Sequence, residues 1–391
     1  MIDTATSPDV WEADETAAAI EAAPRRPAYL RRLASLIASS AEWLFGLLSL
    51  LIGLSTLAAL PILQFLSLGY ILEVSARVAR TGRMRDGFVG VRKGARAGGL
   101  ALGLWIATLP AWLAGQFAHS AEIVTPGGRA ARGWRMALVV IVTLSVLHIL
   151  AACARGGRLR HFLWPFGNPV WLVRRIRQGG LYSDSRDAFW SALAALRLPY
   201  YFRLGLVGFL GTIAWLIVPA LLITAGRKLP PLGIVGALLL AIVVPFLPFL
   251  QVRFAIEGRL SALFSRRAIR ERFRRAPGAF AFALMVLLLA AIPLYLLKIE
   301  MIPREAAWLP GLVFVAFLAP ARILTGWAYA RSGRRDGPRH WTFRLVGRAA
   351  IVVAALFYVL IVFLAQYTSW GGAASLLEQH AFLLPVPFGR M

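Results

Sequence analysis

Long uncharged apolar runs separated by short polar stretches dominate the chain. Eight of them, at 43–72, 97–121, 136–154, 204–226, 229–252, 276–297, 306–321 and 349–377, reach or approach the length of a membrane span, since about 20 helical residues cross a hydrocarbon core about 30 Å thick. Apolar and polar residues do not alternate at a period of two, which argues against a transmembrane barrel. The expected fold class is all-α: a polytopic transmembrane helical bundle of about eight membrane segments, with interfacial amphipathic helices in the cytoplasmic loops. The seventh run is short and needs its flanks to cross. The first is long, and Pro61 near its middle removes a helix hydrogen bond, so it either crosses once or enters and returns as two arms.

Residues 1–27 are polar and acidic and read as a disordered tail; their first 24 lack the apolar core of a signal peptide, so the first span is expected to act as the insertion signal. In 28–40, Leu30, Leu33 and Ile37 recur at helical spacing opposite Arg31 and Arg32, the pattern of a helix lying in the interface. Residues 28–391 then read as a single integral membrane domain. An internal repeat is visible at an offset of 184: Pro61, Leu63, Phe65, Leu66 and Glu73 match Pro245, Leu247, Phe249, Leu250 and Glu257. It suggests duplicated halves at 43–226 and 229–377, although such matches also arise by chance in leucine-rich sequence.

Composition agrees: 59% of the 391 residues are hydrophobic, with mean hydropathy +0.68. The net charge of +25 would suggest nucleic acid for a soluble chain, but its distribution argues otherwise. Loops 73–96, 155–203, 253–275 and 322–348 hold 31 of the 43 basic residues, whereas the intervening loops and the C-terminal tail hold 8. Arginine-rich loops stay on the cytoplasmic side, so these four alternate loops are expected there, and nucleic acid is not an expected partner. The near-exclusive use of Arg over Lys, with abundant Ala and Gly, points to a GC-rich bacterial genome and to its cytoplasmic (inner) membrane. Within the loops, Arg77, Arg80, Arg83, Arg85, Arg174, Arg175, Arg177, Arg266, Arg267, Arg334 and Arg335 are the candidate contacts to anionic phospholipids. Phe162, Trp164, Phe166 and Trp171 place loop 155–203 at the headgroup level, followed by a helix capped near Ser183 or Asp184 and ended by Pro199.

Within the spans, Gly99, Gly103, Ala107, Ala111 and Gly115 recur every fourth residue, a small-residue stripe that lets another backbone approach closely; Gly233, Ala237 and Ala241 form a shorter one. Prolines at 61, 110, 219, 245, 248, 293 and 320 punctuate the spans. No Asp, Glu, Lys or Arg falls clearly inside a run, and His148 is the single candidate intramembrane polar site, whose bland reading is a helix–helix hydrogen bond. Glu73 and Glu257 sit at the ends of runs, with Arg77 and Arg253 as expected salt-bridge partners, and His119 with Glu122 makes a poor metal site. No catalytic, nucleotide-binding or metal-binding spacing is present, and no cofactor is expected. The single Cys153 excludes an intrachain disulfide.

Leu68-Gly69-Tyr70-Ile71-Leu72, Arg77-Val78-Ala79-Arg80-Thr81-Gly82 and Arg85-Asp86-Gly87-Phe88 together resemble the bacterial membrane proteins grouped as domain of unknown function 4013. The likeness covers roughly 60–115 and departs from the family at Arg83-Met84-Arg85, where an acidic, tryptophan-containing loop is usual. It implies a multi-pass helical membrane protein and no activity. The functional expectation is a non-catalytic membrane scaffold or accessory component whose arginine loops contact anionic headgroups; the alternative is a small-solute or lipid transporter, which requires a polar cavity near Pro110, His148 or Pro293. A protein partner or homo-oligomer is compatible with either.

Overall fold

The computed structural model describes residues 28–297, 299, 306, 308–369, 376 and 382; the expected tail 1–27 lies outside them. Every regular element among these residues is helical. In chain order they are α1 (Ala28–Ala59), α2 (Gln64–Thr81), α3 (Val91–Val124), α4 (Arg129–Ala154), α5 (Leu159–Leu163), α6 (Gly167–Gln178), α7 (Leu181–Leu196), α8 (Leu198–Ala225), α9 (Pro230–Val243), α10 (Leu247–Glu257), α11 (Arg266–Arg275), α12 (Pro277–Leu296), α13 (Leu309–Gly333) and α14 (Trp341–Thr368). Two 3-10 turns, Met84–Gly87 and Leu260–Phe264, punctuate them. Among the described residues seven helices are long and apolar enough to cross a membrane, or eight if α9 and α10, bent by 47° at Pro245, count as one broken span. The chain is a multi-pass helical membrane protein.

The chain divides into a unit ending at Phe45 and a second unit, Gly46–Met391. Of the first, the structure describes the opening turns of α1, whose side chains at Tyr29, Leu33, Leu36 and Ile37 are exposed. The second contains the core. At its start, Pro61 and Ile62 (φ +68°) end α1, and Ser67 Oγ donates to the Leu54 carbonyl at 2.7 Å. On a continuous helix residues 13 apart lie about 20 Å from each other, so the chain has turned back. The chain therefore reverses between α1 and α2, and α1 is by itself long and apolar enough to cross a membrane over Ser35–Ala59.

The returning arm α2 is the centre of the bundle: thirteen of its 18 residues are buried, between α8, α10 and α13. Glycine makes these approaches possible. A Cβ at Gly69 would overlap the Tyr201 carbonyl of α8, and one at Gly205 would overlap the Phe65 carbonyl of α2, so the two glycines form a reciprocal crossing. On the other side Gly326 of α13 lies against the Ser75 carbonyl, and Gly311 lies against that of Ser55. Backbones also approach closely between Gly46 and Val91 and between Gly226 and Gly233, the latter in the shorter stripe, but not at the stripe singled out in α3. There Gly103 and Ala107 receive the Phe162 ring, a side chain rather than a backbone, while Gly99 and Gly115 touch Leu159 and Leu138 at the margin of van der Waals contact.

Each proline break is followed by the same backbone series. Gly82 (φ 71°) and Gly258 (φ 69°) close α2 and α10 in the left-handed conformation; extended Arg83 and Arg259 follow, then a 3-10 turn. The next long helix carries an internal proline, Pro110 in α3 or Pro293 in α12. The halves share this series while differing in helix lengths.

Three expectations are corrected. Arg322, counted among the loop arginines, lies inside α13 and is 1% exposed. The short seventh run becomes a 25-residue helix because the hydrophobic pattern continues past this arginine, through Ala328 and Tyr329, to Gly333. Consequently His148 is not the sole ionisable residue within a span. Pro199 does not end α7; Arg197 (φ +52°) breaks the chain and Pro199 sits in the first turn of α8, where a missing amide costs nothing.

Adding a methyl group at Gly69 or Gly205 should destabilise the protein by about 1–3 kcal/mol, the cost of overpacking a filled contact. Thermal unfolding in detergent should show Gly69→Ala and Gly205→Ala lowered, with Gly53→Ala, where a Cβ meets open space, unchanged.

Candidate functional site

The arginine-rich segments after α2, around α11 and after α13 meet at one end of the bundle. The Arg334 guanidinium donates to the Thr81 carbonyl at 3.2 Å. Arg272 lies over the Tyr329 ring at 4.0 Å and reaches Ser332 Oγ at 3.4 Å. Arg275 and Arg335 exchange bonds to each other's carbonyls at 3.5 and 3.3 Å, and the Arg339 amide donates to the Arg274 carbonyl. Guanidinium groups are therefore held here by neutral carbonyls, hydroxyls and rings. The close carboxylate pairs in these segments are Glu73–Arg80, Glu257–Arg253 and Glu271–Arg275, with Asp86–Arg85 longer at 3.9 Å. Among the described residues, Arg266, Arg267, Arg270, Arg274, Arg331, Arg334, Arg335 and Arg339 have no such partner, which leaves a strongly positive surface.

On this surface a cavity of about 320 Å³ opens between the start of α12 and the end of α13. Arg331, Arg335 and Arg339 line it together with Trp327, Phe282 and Phe343. Arg331 lies over the Trp327 ring at 5.4 Å and Arg339 over the Phe343 ring at 5.3 Å, so two of the three cations are positioned by aromatic faces. Burial, followed by the neighbouring Arg339 and Arg331 charges, presses the Arg335 pKa below the ordinary guanidinium value. It still carries its proton at neutral pH. The first turn of α12, Pro277 to Ala279, closes the groove, and helix starts present amides without intrahelical acceptors. The arrangement suits a phosphate-sized anion attached to something apolar.

Of the residues singled out from the sequence, Arg335 alone lines this groove. Arg77, Arg80, Arg83, Arg85, Arg266, Arg267 and Arg334 are exposed on the segments that meet at the arginine end. Arg174, Arg175 and Arg177 are on α6, where Arg175 pairs with Asp184. Arg331 and Arg339 went unrecognised. Their signal was present as Arg331, Arg335 and Arg339, spaced by four, with Trp327 and Phe343 four residues beyond either end, but the spacing runs out of a helix into a loop.

Glu73 takes a different partner from the one expected. Arg80 meets it at 2.5 Å and the Tyr200 hydroxyl donates to its other oxygen at 2.7 Å; Arg77, on an exposed face, is not the partner. Glu257 pairs with Arg253 at 2.7 Å as expected. Glu122 binds Arg135 at 2.8 Å and the Gly127 amide, closing the α3–α4 turn. No group of three or more metal-ligating side chains occurs among the described residues.

His148 serves the loop after α4 rather than a second spanning helix. Its Nε2 donates to the Phe162 carbonyl at 3.0 Å, which leaves Nδ1 to accept from the Asn168 amide at 3.2 Å. Asn168 also donates to the His161 carbonyl at 2.8 Å and accepts from Arg155 at 3.2 Å. This network docks α5 and the start of α6, with Phe162 pressed on Gly103.

No family model, curated protein or solved structure was found to match this chain. The fold therefore defines the class, a multi-pass helical membrane protein, and the site has to be read from its own chemistry.

His161 supplies a pH test of the dock. Burial, then the Arg155, Arg160 and Arg158 charges, lower its pKa. A histidine depressed in the native state contributes no penalty above the ordinary imidazole pKa and destabilises as pH falls through it. Between about pH 7 and about pH 5, the thermal midpoint of the parent should therefore fall more steeply than that of His161→Phe.

Proposed function

We propose that this protein is a non-catalytic membrane scaffold or accessory component that holds anionic lipid at the face formed by its arginine loops, and that this face is cytoplasmic. The observation that supports the reading is the convergence of loop arginines that lack carboxylate partners among the described residues, since an uncompensated positive surface at a membrane attracts acidic headgroups by about 1 kcal/mol per residue. The helices between α4 and α8 suit the same role. Exposed Trp164, Phe166, Val170, Val173, Ile176, Phe189 and Trp190 supply apolar side chains beside Arg174, Arg175 and Arg177, as interfacial helices do. Orientation follows from the retention of arginine on the cytoplasmic side. The resemblance to domain of unknown function 4013 proteins is compatible with this role and assigns none of its residues.

The transport alternative needs an opening at His148, Pro110 or Pro293. His148 instead bonds to the Phe162 carbonyl and Asn168, and a cavity of about 320 Å³ opens at the arginine end.

Two measurements test the proposal. In proteoliposomes, clustering of phosphatidylglycerol around the protein should exceed that of phosphatidylcholine and weaken as salt rises; equal clustering of the two lipids contradicts it. In a Cys153→Ala background, a cysteine replacing Phe88 should be protected from an impermeant reagent added outside the cell, and one replacing Thr125 should be labelled. The reverse pattern inverts the orientation.

A further inference from the structure

The groove carries more than the general charge of its face. Arg331, Arg335 and Arg339 converge on one cavity, each fixed by a neutral partner: the Trp327 ring, the Arg275 carbonyl and the Phe343 ring. Among the described residues no carboxylate pairs with any of the three. Placing three guanidiniums around a shared space is unfavourable unless an anion fills it, and planar guanidiniums match phosphate oxygens well. The volume, about 320 Å³, suits a phosphate headgroup with its glycerol and is too small for a whole lipid. The remainder has a path. Phe282, which lines the groove, begins a row of exposed side chains on α12 that continues through Met285 and Leu289, spaced three and four residues apart as on one helix face. Val346 and Val353 of α14, on the chain just beyond Phe343, are also exposed.

We infer that the cleft between α12 and α13 is a specific site for one anionic phospholipid, its phosphate among Arg331, Arg335 and Arg339 and its acyl chains along the Phe282–Leu289 face. This deepens the proposed role and rests on it for the ligand class. It differs in predicting one saturable site rather than a diffuse lipid shell. Charge complementarity selects an anion, and continuity between the cationic cavity and the lipid-facing row selects a lipid over a free phosphate.

Native mass spectrometry of the full chain in neutral detergent, titrated with phosphatidylglycerol, phosphatidylcholine or inorganic phosphate, reads the site directly. One phosphatidylglycerol adduct should form before any other, persist at salt that removes further adducts, and resist competition by inorganic phosphate. In Arg331→Gln/Arg335→Gln/Arg339→Gln its affinity should fall about tenfold or more, while Arg129→Gln/Arg132→Gln, exposed at the start of α4, retains it. If the triple variant does not fold, Arg339→Gln, an exposed loop substitution, replaces it and should weaken the first adduct selectively. An adduct indifferent to these arginines, equal binding of phosphatidylcholine, or full displacement by inorganic phosphate would overturn the site. Salt-sensitive clustering in proteoliposomes separates the two ideas. If clustering persists while the adduct ignores the groove, the site fails and the face reading stands; one groove-dependent adduct without clustering leaves the reverse.

Discussion

Removing an ionised or hydrogen-bonding group from water without a partner costs several kcal/mol, and in hydrocarbon no water is left to supply one. This constraint sorts nearly every polar residue in the chain. Arginine is excluded from most of the spans and accumulates at their ends, where headgroups and water remain. Several polar side chains that stay inside form bonds within the bundle, namely Ser67 to the Leu54 carbonyl, Gln251 to Thr212 at 2.7 Å, and Tyr295 to Tyr358 at 2.8 Å, whereas the buried Gln366 amide makes none among the described residues. The first of these also ties α1 to α2 across the turn at Pro61, so satisfying one hydroxyl helps to fix the position of α2, around which α8, α10 and α13 assemble.

The same sorting explains what could be read from the sequence. Long apolar runs announce helices of spanning length, and among the described residues seven such helices, or eight with the bent α9–α10 pair, are present with shifted boundaries. Boundaries shift where a helix outlasts its apolar run. α13 runs on past Arg322 because the surrounding helices bury that side chain, and a hydropathy pattern does not register a cation enclosed by neighbours. α2 is the converse case. Its Glu73, Arg77 and Arg80 make it look like the edge of a span, yet its other faces are packed by three helices. Glycines were legible as small residues but not as crossings. Gly69 and Gly205 are 136 positions apart, and only the folded chain brings each against the other's backbone.

The site was legible in its chemistry and not in its address. Arginines in alternate loops indicated a positive face, but which of them share a cavity depends on how α12 starts beside the end of α13. Arg335 was among the candidates, whereas Arg331 and Arg339 were not. His148, attractive as an intramembrane histidine, instead anchors a loop through Asn168 and the Phe162 carbonyl. The proposed function thus centres on one end of the bundle, where arginines without carboxylate partners among the described residues remain available to an external anion.

Convergence of the arginine loops at that end is tested most directly by distances between paired spin labels. Labels replacing Arg83, Glu271 and Asp336 in the Cys153→Ala protein should lie close together, well under the bilayer's ~30 Å core. A label replacing Gly127, reached by the 34-residue helix α3 and so about 50 Å along its axis, should be farther than ~30 Å from the label at position 83. Distances from position 83 to positions 271 and 336 as long as that to position 127 would contradict the shared face and remove the basis for the lipid site.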